Sequence, residues 1–315
     1  MRYLHTFAFL LYAFAVSAQQ EAIFSQFFYN KTLLNPGAAG SNGRPCLTAF
    51  HRQQWVGLEG APVTQSLSFN SPAFADRVGL GLTLMNDRIG FFNSTFVNLA
   101  YAYRVQFGKG KLGIGMQASY LHHRVNWEKA RTITGNADPN AGTETLTPIF
   151  NAGIGAHFET EQFFAGVSVP YLLERGLSEN DGGVVTDFSG TTPHLFVNAG
   201  LLLEVSPALK MRPAVAARVL KNAPPTLDAH LSFGFLKENR LWAGGTYRWS
   251  QSKIHAYGDA FVAMVQYQPG QRWKMGFAYD IPLSSLRRDT QGTFELMLEY
   301  CLVKPGAAVR NPRFF

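Results

Sequence analysis

A zigzag of period two, repeated along the chain, limits what it can fold into more than any other feature. Leu112, Ile114, Met116, Ala118 and Tyr120 alternate with Gly113, Gly115, Gln117 and Ser119. Successive side chains of a strand point to opposite faces, so this stretch has one apolar face and one small or polar face. Val78, Leu80, Leu82 and Leu84 alternate with Gly79, Gly81 and Thr83. Phe150, Ala152, Ile154, Ala156 and Phe158 alternate with Asn151, Gly153, Gly155 and His157. Phe294, Leu296, Leu298 and Tyr300 flank Glu295 and Glu299. The stretch 195–203 keeps the rule except at Phe196.

The pattern predicts fourteen strands, near 46–52, 63–70, 77–86, 93–106, 110–122, 148–159, 161–170, 193–205, 209–219, 227–236, 240–248, 257–268, 272–281 and 293–302. The number is even, and most lengths approach the roughly 9–11 residues that cross a bilayer. The links test this independently. Links at 53–62, 87–92, 123–147, 171–192, 220–226, 249–256 and 282–292 are mostly longer than the intervening ones at 71–76, 107–109, 160, 206–208, 237–239 and 269–271. Short turns at one rim and longer loops at the other are the habit of outer-membrane barrels. A sheet edge in hydrocarbon leaves N–H and C=O groups unpaired, so the sheet must close on itself. The expected fold is an all-β transmembrane antiparallel barrel with short periplasmic turns and longer surface loops. Tyr101, Tyr103, Tyr120, Phe158, Tyr247, Trp249, Tyr267, Trp273, Tyr279 and Tyr300 fall near strand ends on the apolar phase, where interfacial girdles belong.

Composition agrees. Charged residues are 16% of the chain and aromatic residues 14%, with 30 glycines. Soluble domains carry about 25% charged residues, so the low share suits an apolar exterior. The excess of Lys and Arg, 28 against 21 acidic residues, is spread thinly. It forms no basic block for nucleic acid.

The first eighteen residues read as a signal peptide: Arg2, an apolar run over 6–15, and the small-residue site Val16-Ser17-Ala18. The remaining organisation is an N-terminal segment at 19–42, the barrel at 43–302 and a tail at 303–315. The segment has no clear period but holds Phe24, Phe27, Phe28 and Tyr29. It either plugs the lumen or docks in the periplasm, and so many aromatics favour packing against the barrel. Cys46 opens the first strand and Cys301 nearly closes the last. Closure makes those strands neighbours, so a disulfide across the seam is one expectation and two staggered free thiols the other.

Gly113, Gly115 and Ala118 match Gly-x-Gly-x-x-Ala, but a dinucleotide turn must become a helix at the third position. Here the alternation runs on through Ala118. No nucleophile elbow, Walker sequence or His-Glu-x-x-His appears. Ser119 and His122 face opposite sides of a strand. His122-His123 lacks neighbouring ligands for a metal. The expectation is a non-enzyme with no cofactor and no metal site.

Phe24-Ser25-Gln26-Phe27-Phe28-Tyr29-Asn30, then Leu34-Asn35-Pro36-Gly37-Ala38-Ala39-Gly40-Ser41, resembles the opening of the PorP/SprF family of the Bacteroidota type IX secretion system. Arg52-Gln53-Gln54-Trp55, Asn86-Asp87, Tyr101-Ala102-Tyr103-Arg104, Pro225 with Asp228, Gly244-Gly245-Thr246-Tyr247-Arg248, Tyr279-Asp280 and Gly292-Thr293-Phe294-Glu295-Leu296 extend the resemblance over nearly the whole mature chain. The family's usual Pro-Ala-aromatic is here Pro36-Gly37-Ala38. The resemblance implies an outer-membrane component that aids export or surface retention of adhesin-like proteins, with gliding components among its associates. Implied partners are the C-terminal domain of secreted cargo, periplasmic ring proteins, a peptidoglycan-binding lipoprotein and outer-membrane lipid. Candidate partner-binding residues are Phe24, Phe27, Phe28, Tyr29, Asn35, Pro36, Trp55, Asp87, Arg104, Arg248 and Asp280. Loops 123–147 and 171–192 are the expected cargo surface. The rival function is a channel or porin for small solutes.

Overall fold

The computed structural model describes residues 24–127, 143–145, 148–181, 184–220, 223–236, 240–250 and 258–303. The expected signal peptide, the turn 237–239 and all of the tail but its first residue lie outside that set. The strands are β1 (Cys46–Gln53), β2 (Val63–Ala73), β3 (Val78–Ile89), β4 (Phe92–Phe107), β5 (Gly110–Asn126), β6 (Thr143–Thr145), β7 (Ile149–Glu159), β8 (Phe163–Val169) and β9 (Arg175–Asp181). They continue as β10 (Val184–Thr191), β11 (His194–Leu201), β12 (Leu203–Ser206), β13 (Leu209–Leu220), β14 (Ala223–Phe235), β15 (Leu241–Ser250), β16 (Ala260–Tyr267), β17 (Trp273–Pro282) and β18 (Thr293–Cys301).

Hydrogen bonds run β1-β2-β3-β4-β5-β7-β8-β11-β13-β14-β15-β16-β17-β18, and β18 pairs antiparallel with β1. With β11 and β12 counted as one bent strand, this is a closed fourteen-strand antiparallel barrel. Closure leaves no free sheet edge, as hydrocarbon requires.

The alternation read from sequence is the alternation of the wall. On β5, Ile114 and Met116 point outward at 60% and 63% exposure, while Gln117 and Ser119 are buried inside. The exposed large side chains are mostly Leu, Val, Phe, Tyr and Met on outward phases, and the buried polar set includes Arg52, Arg212, Glu295 and Glu299 on inward ones. This inverts a soluble protein and fits lipid outside and polar groups within. Of the expected girdle, Tyr101, Tyr103, Tyr247, Trp249, Tyr267, Trp273 and Tyr279 are exposed, and Tyr120, Phe158 and Tyr300 are half-buried.

Several expectations need correction. The link 87–92 shrinks to Gly90 and Phe91, because β3 and β4 stay paired as far as Ile89↔Phe92. The link 220–226 shrinks to 221–222. The rims are therefore less regularly long and short than the sequence suggested. The loop 171–192 contains a β-hairpin, β9 with β10, and β6 in the loop 123–147 adds to β5. The strand over 193–205 breaks at Leu202, which is buried and donates its N–H to Gln162 O at 2.7 Å. Phe196 departs from the zigzag because it sits on the inward phase. There it stacks on His194, and the Arg218 guanidinium lies 5.7 Å from its ring centroid.

At the seam, Cys46 stands directly opposite Cys301. Their Sγ atoms are bonded at 2.02 Å, closing a loop of 255 residues.

Candidate functional site

Residues 24–42 pack against inward-facing side chains of the barrel. Three short 3-10 turns, Phe27–Tyr29, Lys31–Leu33 and Pro36–Ala38, fold the segment compactly. Asn35 caps the last turn: its Oδ1 accepts from Gly37 N at 2.8 Å, and Pro36 stands in the first turn, where its missing N–H costs nothing. Phe24, Phe27, Phe28 and Tyr29 are at most 5% exposed. Phe24 packs on Phe50 with centroids 5.1 Å apart, and Phe28 lies 4.2 Å from the His230 ring. A fully buried Phe contributes about 1.5–3 kcal/mol, so the three together anchor the segment.

Glycines make room for the segment's backbone. A Cβ at Gly79 would lie 1.9 Å from Ala39 O, at Gly113 2.2 Å from Gly37 O, and at Gly115 2.4 Å from Pro36 O. At Gly155 it would meet Asn35 Oδ1 at 2.1 Å, and at Gly276 Gln26 Oε1 at 2.0 Å. Gly113 and Gly115, which mimicked a nucleotide motif, leave space for Pro36 and Gly37. The contact is reciprocal, since a Cβ on Gly37 would lie 2.8 Å from Gly155 O and 2.9 Å from Gly113 O. That crowding is the local reason for glycine after Pro36.

Three polar clamps fix the segment. In the first, Glu295 accepts two consecutive backbone amides, Ser25 N at 2.8 Å and Gln26 N at 2.9 Å. Arg52 binds Glu295 at 3.0 Å and Asp280 at 2.7 Å. Arg248 binds Asp228 at 2.9 Å and reaches Asp280 at 3.4 Å. The Ser25 hydroxyl donates to Asp280 and accepts from both arginines. Two guanidinium groups face three carboxylates, so the formal charge is 2 − 3 = −1. All five ionic side chains are under 8% exposed.

The second clamp joins Arg104 to Gly40 O at 2.5 Å and to Glu159 at 2.6 Å. Lys31 approaches the same Glu159 at 3.6 Å. Burial pushes the Lys31 ammonium below the ordinary lysine range, and Glu159 opposes that shift. In the third, Arg212 donates to Tyr29 Oη at 2.6 Å and lies 4.9 Å from the Tyr29 ring centroid and 4.4 Å from that of Trp242. Burial raises the Tyr29 phenol above its usual range, and Arg212 opposes this. Asn70 adds two bonds, from its Nδ2 to Thr32 Oγ1 at 2.9 Å and from Gly40 N to its Oδ1 at 2.5 Å.

Most of the residues singled out in the sequence meet here. Phe24, Phe27, Phe28, Tyr29, Asn35, Pro36, Arg104, Arg248 and Asp280 are buried in the contact between segment and wall. Two lie elsewhere. Trp55 stands in the loop after β1 at a positive φ of 44°, with its N–H donated to Thr293 Oγ1 at 3.1 Å. Asp87 accepts from Thr64 Oγ1 at 2.6 Å on the β2–β3 wall. Sequence reasoning missed Ser25, Asp228, Glu295, Glu159, Lys31 and Arg212 as site residues. For Asp228, Glu295, Glu159 and Arg212 the signal was a charge on the inward phase of a strand, as at Glu295 between outward Phe294 and Leu296; Ser25 and Lys31, on the segment without a period, carried none.

No curated protein matches the chain. Among solved structures it is similar to a Pseudomonas aeruginosa FadL homologue, at 12% identity and TM-score 0.48, covering 84% of this chain and 92% of that one. It is also similar to the Ralstonia pickettii toluene transporter TbuX, at 11% and 0.48 with 86% and 92% covered. The CymD monoaromatic hydrocarbon channel matches at 12% and 0.49, with 92% and 95% covered. The profile described as type IX secretion system membrane protein PorP/SprF matches residues 16–300. The chain thus belongs to the PorP/SprF family of type IX secretion system membrane proteins.

Proposed function

We propose that this protein is a closed, non-enzymatic outer-membrane barrel that helps export or retain secreted proteins at the cell surface through protein–protein contacts. The observation behind this reading is the occupied lumen. A solute channel needs a free path, whereas here residues 24–42 fill space between the walls and are clamped on several sides. Recognition then falls to the rims, with the loops after β5 and β8 facing outward as the surface for the C-terminal domain of adhesin-like cargo. Periplasmic ring proteins and a peptidoglycan-binding lipoprotein belong at the short-turn rim. In this reading the polar residues of the lumen hold the barrel's own segment, and partners bind elsewhere.

Two measurements test this. Affinity purification of the tagged protein from native membranes should bring down a secreted C-terminal domain and a lipoprotein. Planar-bilayer recording of the purified barrel should show no steady current. A steady large conductance without co-purifying cargo would replace this reading with the channel.

A further inference from the structure

The outward face changes character at one height on three neighbouring strands. The register aligns β3, β4 and β5 row by row. Leu82, Leu99 and Ala118 form one outward row, and Leu84, Val97 and Tyr120 form the next toward the long-loop rim. Beyond them come Asn86, Thr95 and His122, and then Arg88, Asn93 and Arg124. Residues two apart on a strand share a face, so the last two rows continue the lipid-facing side of the wall. On β5 the apolar phase from Leu112 to Tyr120 covers roughly 20 Å of height, at about 3.3 Å per residue and the usual tilt. That is most of the ~25 Å apolar band of such barrels. The arginine row therefore stands at headgroup height.

This row is cationic and uncompensated. Arg88 and Arg124 are exposed, and among the described residues neither side chain has a hydrogen bond or an ion pair. Asp87, next to Arg88, is on the inward phase and bonded to Thr64. The register partner of Arg124 on β6 is Thr145. Near the same rim β15, β17 and β18 carry Trp249, Tyr279 and Phe294 on the outward phase, which is the ordinary aromatic girdle. The face of β3 to β5 departs from it.

The spacing suits one anion. Arg88 and Arg124 are separated by a single strand, so their backbones stand roughly 10 Å apart, two strand spacings. Side chains of that length can converge above Asn93. The Oδ1 of Asn93 accepts from Asn86 Nδ2 at 2.6 Å. Its own amide nitrogen makes no bond among the described residues and remains a donor.

We propose that Arg88, Asn93 and Arg124 bind a phosphate of the phosphorylated glycolipid of the outer leaflet, whose acyl chains run down the wall along Leu84, Val97 and Leu99. The occupant follows from chemistry and height together. A guanidinium presents a planar fork that matches phosphate oxygens. The apolar rows beneath it call for acyl chains on the same molecule. The long-loop rim puts that molecule in the outer leaflet. The inference uses the membrane orientation of the barrel and not the cargo role proposed above.

The test is native mass spectrometry of the full chain in detergent, titrated with lipid A, with lipid A stripped of its phosphates, and with phosphatidylglycerol. The native chain should bind lipid A at least tenfold more tightly than either comparator. Arg88→Gln with Arg124→Gln should lose that preference and still unfold at the native temperature on a gel, because both side chains are exposed. Arg88→Lys with Arg124→Lys keeps the charge without the fork and should fall between. Equal affinity of the native chain and the glutamine variant for lipid A overturns the proposal, as does equal binding of the dephosphorylated form. A preference for phosphatidylglycerol, or displacement of lipid A by millimolar inorganic phosphate, overturns the choice of occupant.

Discussion

Replacing Glu295 with alanine probes the link between the N-terminal segment and the wall. The carboxylate holds Arg52 at 3.0 Å and takes the amides of Ser25 and Gln26. Removing one member of a buried ion pair costs about 3–5 kcal/mol. Each orphaned amide adds about 1–3 kcal/mol where water does not replace the acceptor. One effect acts the other way: the cluster's formal charge goes from −1 to 2 − 2 = 0, which relieves repulsion between Glu295 and Asp280. The Glu295–Arg52 pair lies within the wall and persists on undocking, so the two amides set the shift: at the bottom of their range, undocking becomes easier by about 2 kcal/mol. That is about thirtyfold in the equilibrium. The assay is limited proteolysis of the folded barrel in detergent, read at the N-terminal segment, with planar-bilayer current alongside. Glu295→Ala should expose the segment to cleavage and give flickering current. Glu295→Gln keeps an acceptor and should lie between it and the native chain. Unchanged protection and silent membranes for Glu295→Ala would show that the clamp does not hold the segment.

Gly79→Ala should lower the heat needed to unfold the barrel on a gel, because its Cβ meets backbone at Ala39 and overpacking costs about 1–3 kcal/mol. Gly270→Ala, whose added Cβ would meet no atom within 4 Å, should be silent in the same assay. Cys46→Ser with Cys301→Ser removes a cross-link spanning 255 residues. Its urea midpoint should fall by the equivalent of about 2–5 kcal/mol, while strand pairing at the seam keeps the barrel closed. Tyr29 should resist ionisation at pH about 10, where free tyrosine titrates, because burial raises it. Its contribution to stability is whole below that pH and is lost as pH climbs toward the folded value. The difference in tyrosinate absorbance between the native chain and Tyr29→Phe reads this directly.

The wall was legible because lipid outside and polar groups inside impose opposite tastes on alternate residues. Ile114 and Met116 could be assigned to the outside before any coordinates, as could Glu295 to the inside. Strand ends were less legible, since pairing carried past the zigzag, as at Asp87↔Ser94 and Arg88↔Asn93, leaves no hydrophobic mark. The lumen was legible only in part. Phe24 to Tyr29 announced burial, but the segment has no period, and its seats are glycines scattered over β3, β5, β7 and β17. Gly113 and Gly115 look alike whether they face a nucleotide, a void or Pro36. β8 is shorter than the 161–170 read from sequence at both ends, since Glu161 and Gln162 lie in the turn before it and the chain leaves the sheet at Pro170.

The Ser25–Glu295 contact joins residues 270 positions apart. The beginning of the polypeptide therefore cannot settle until its end has been made, exported and zipped into place. Throughout that interval the apolar head of the segment has no seat, because Gly276, Asp280 and Glu295 are not yet in place.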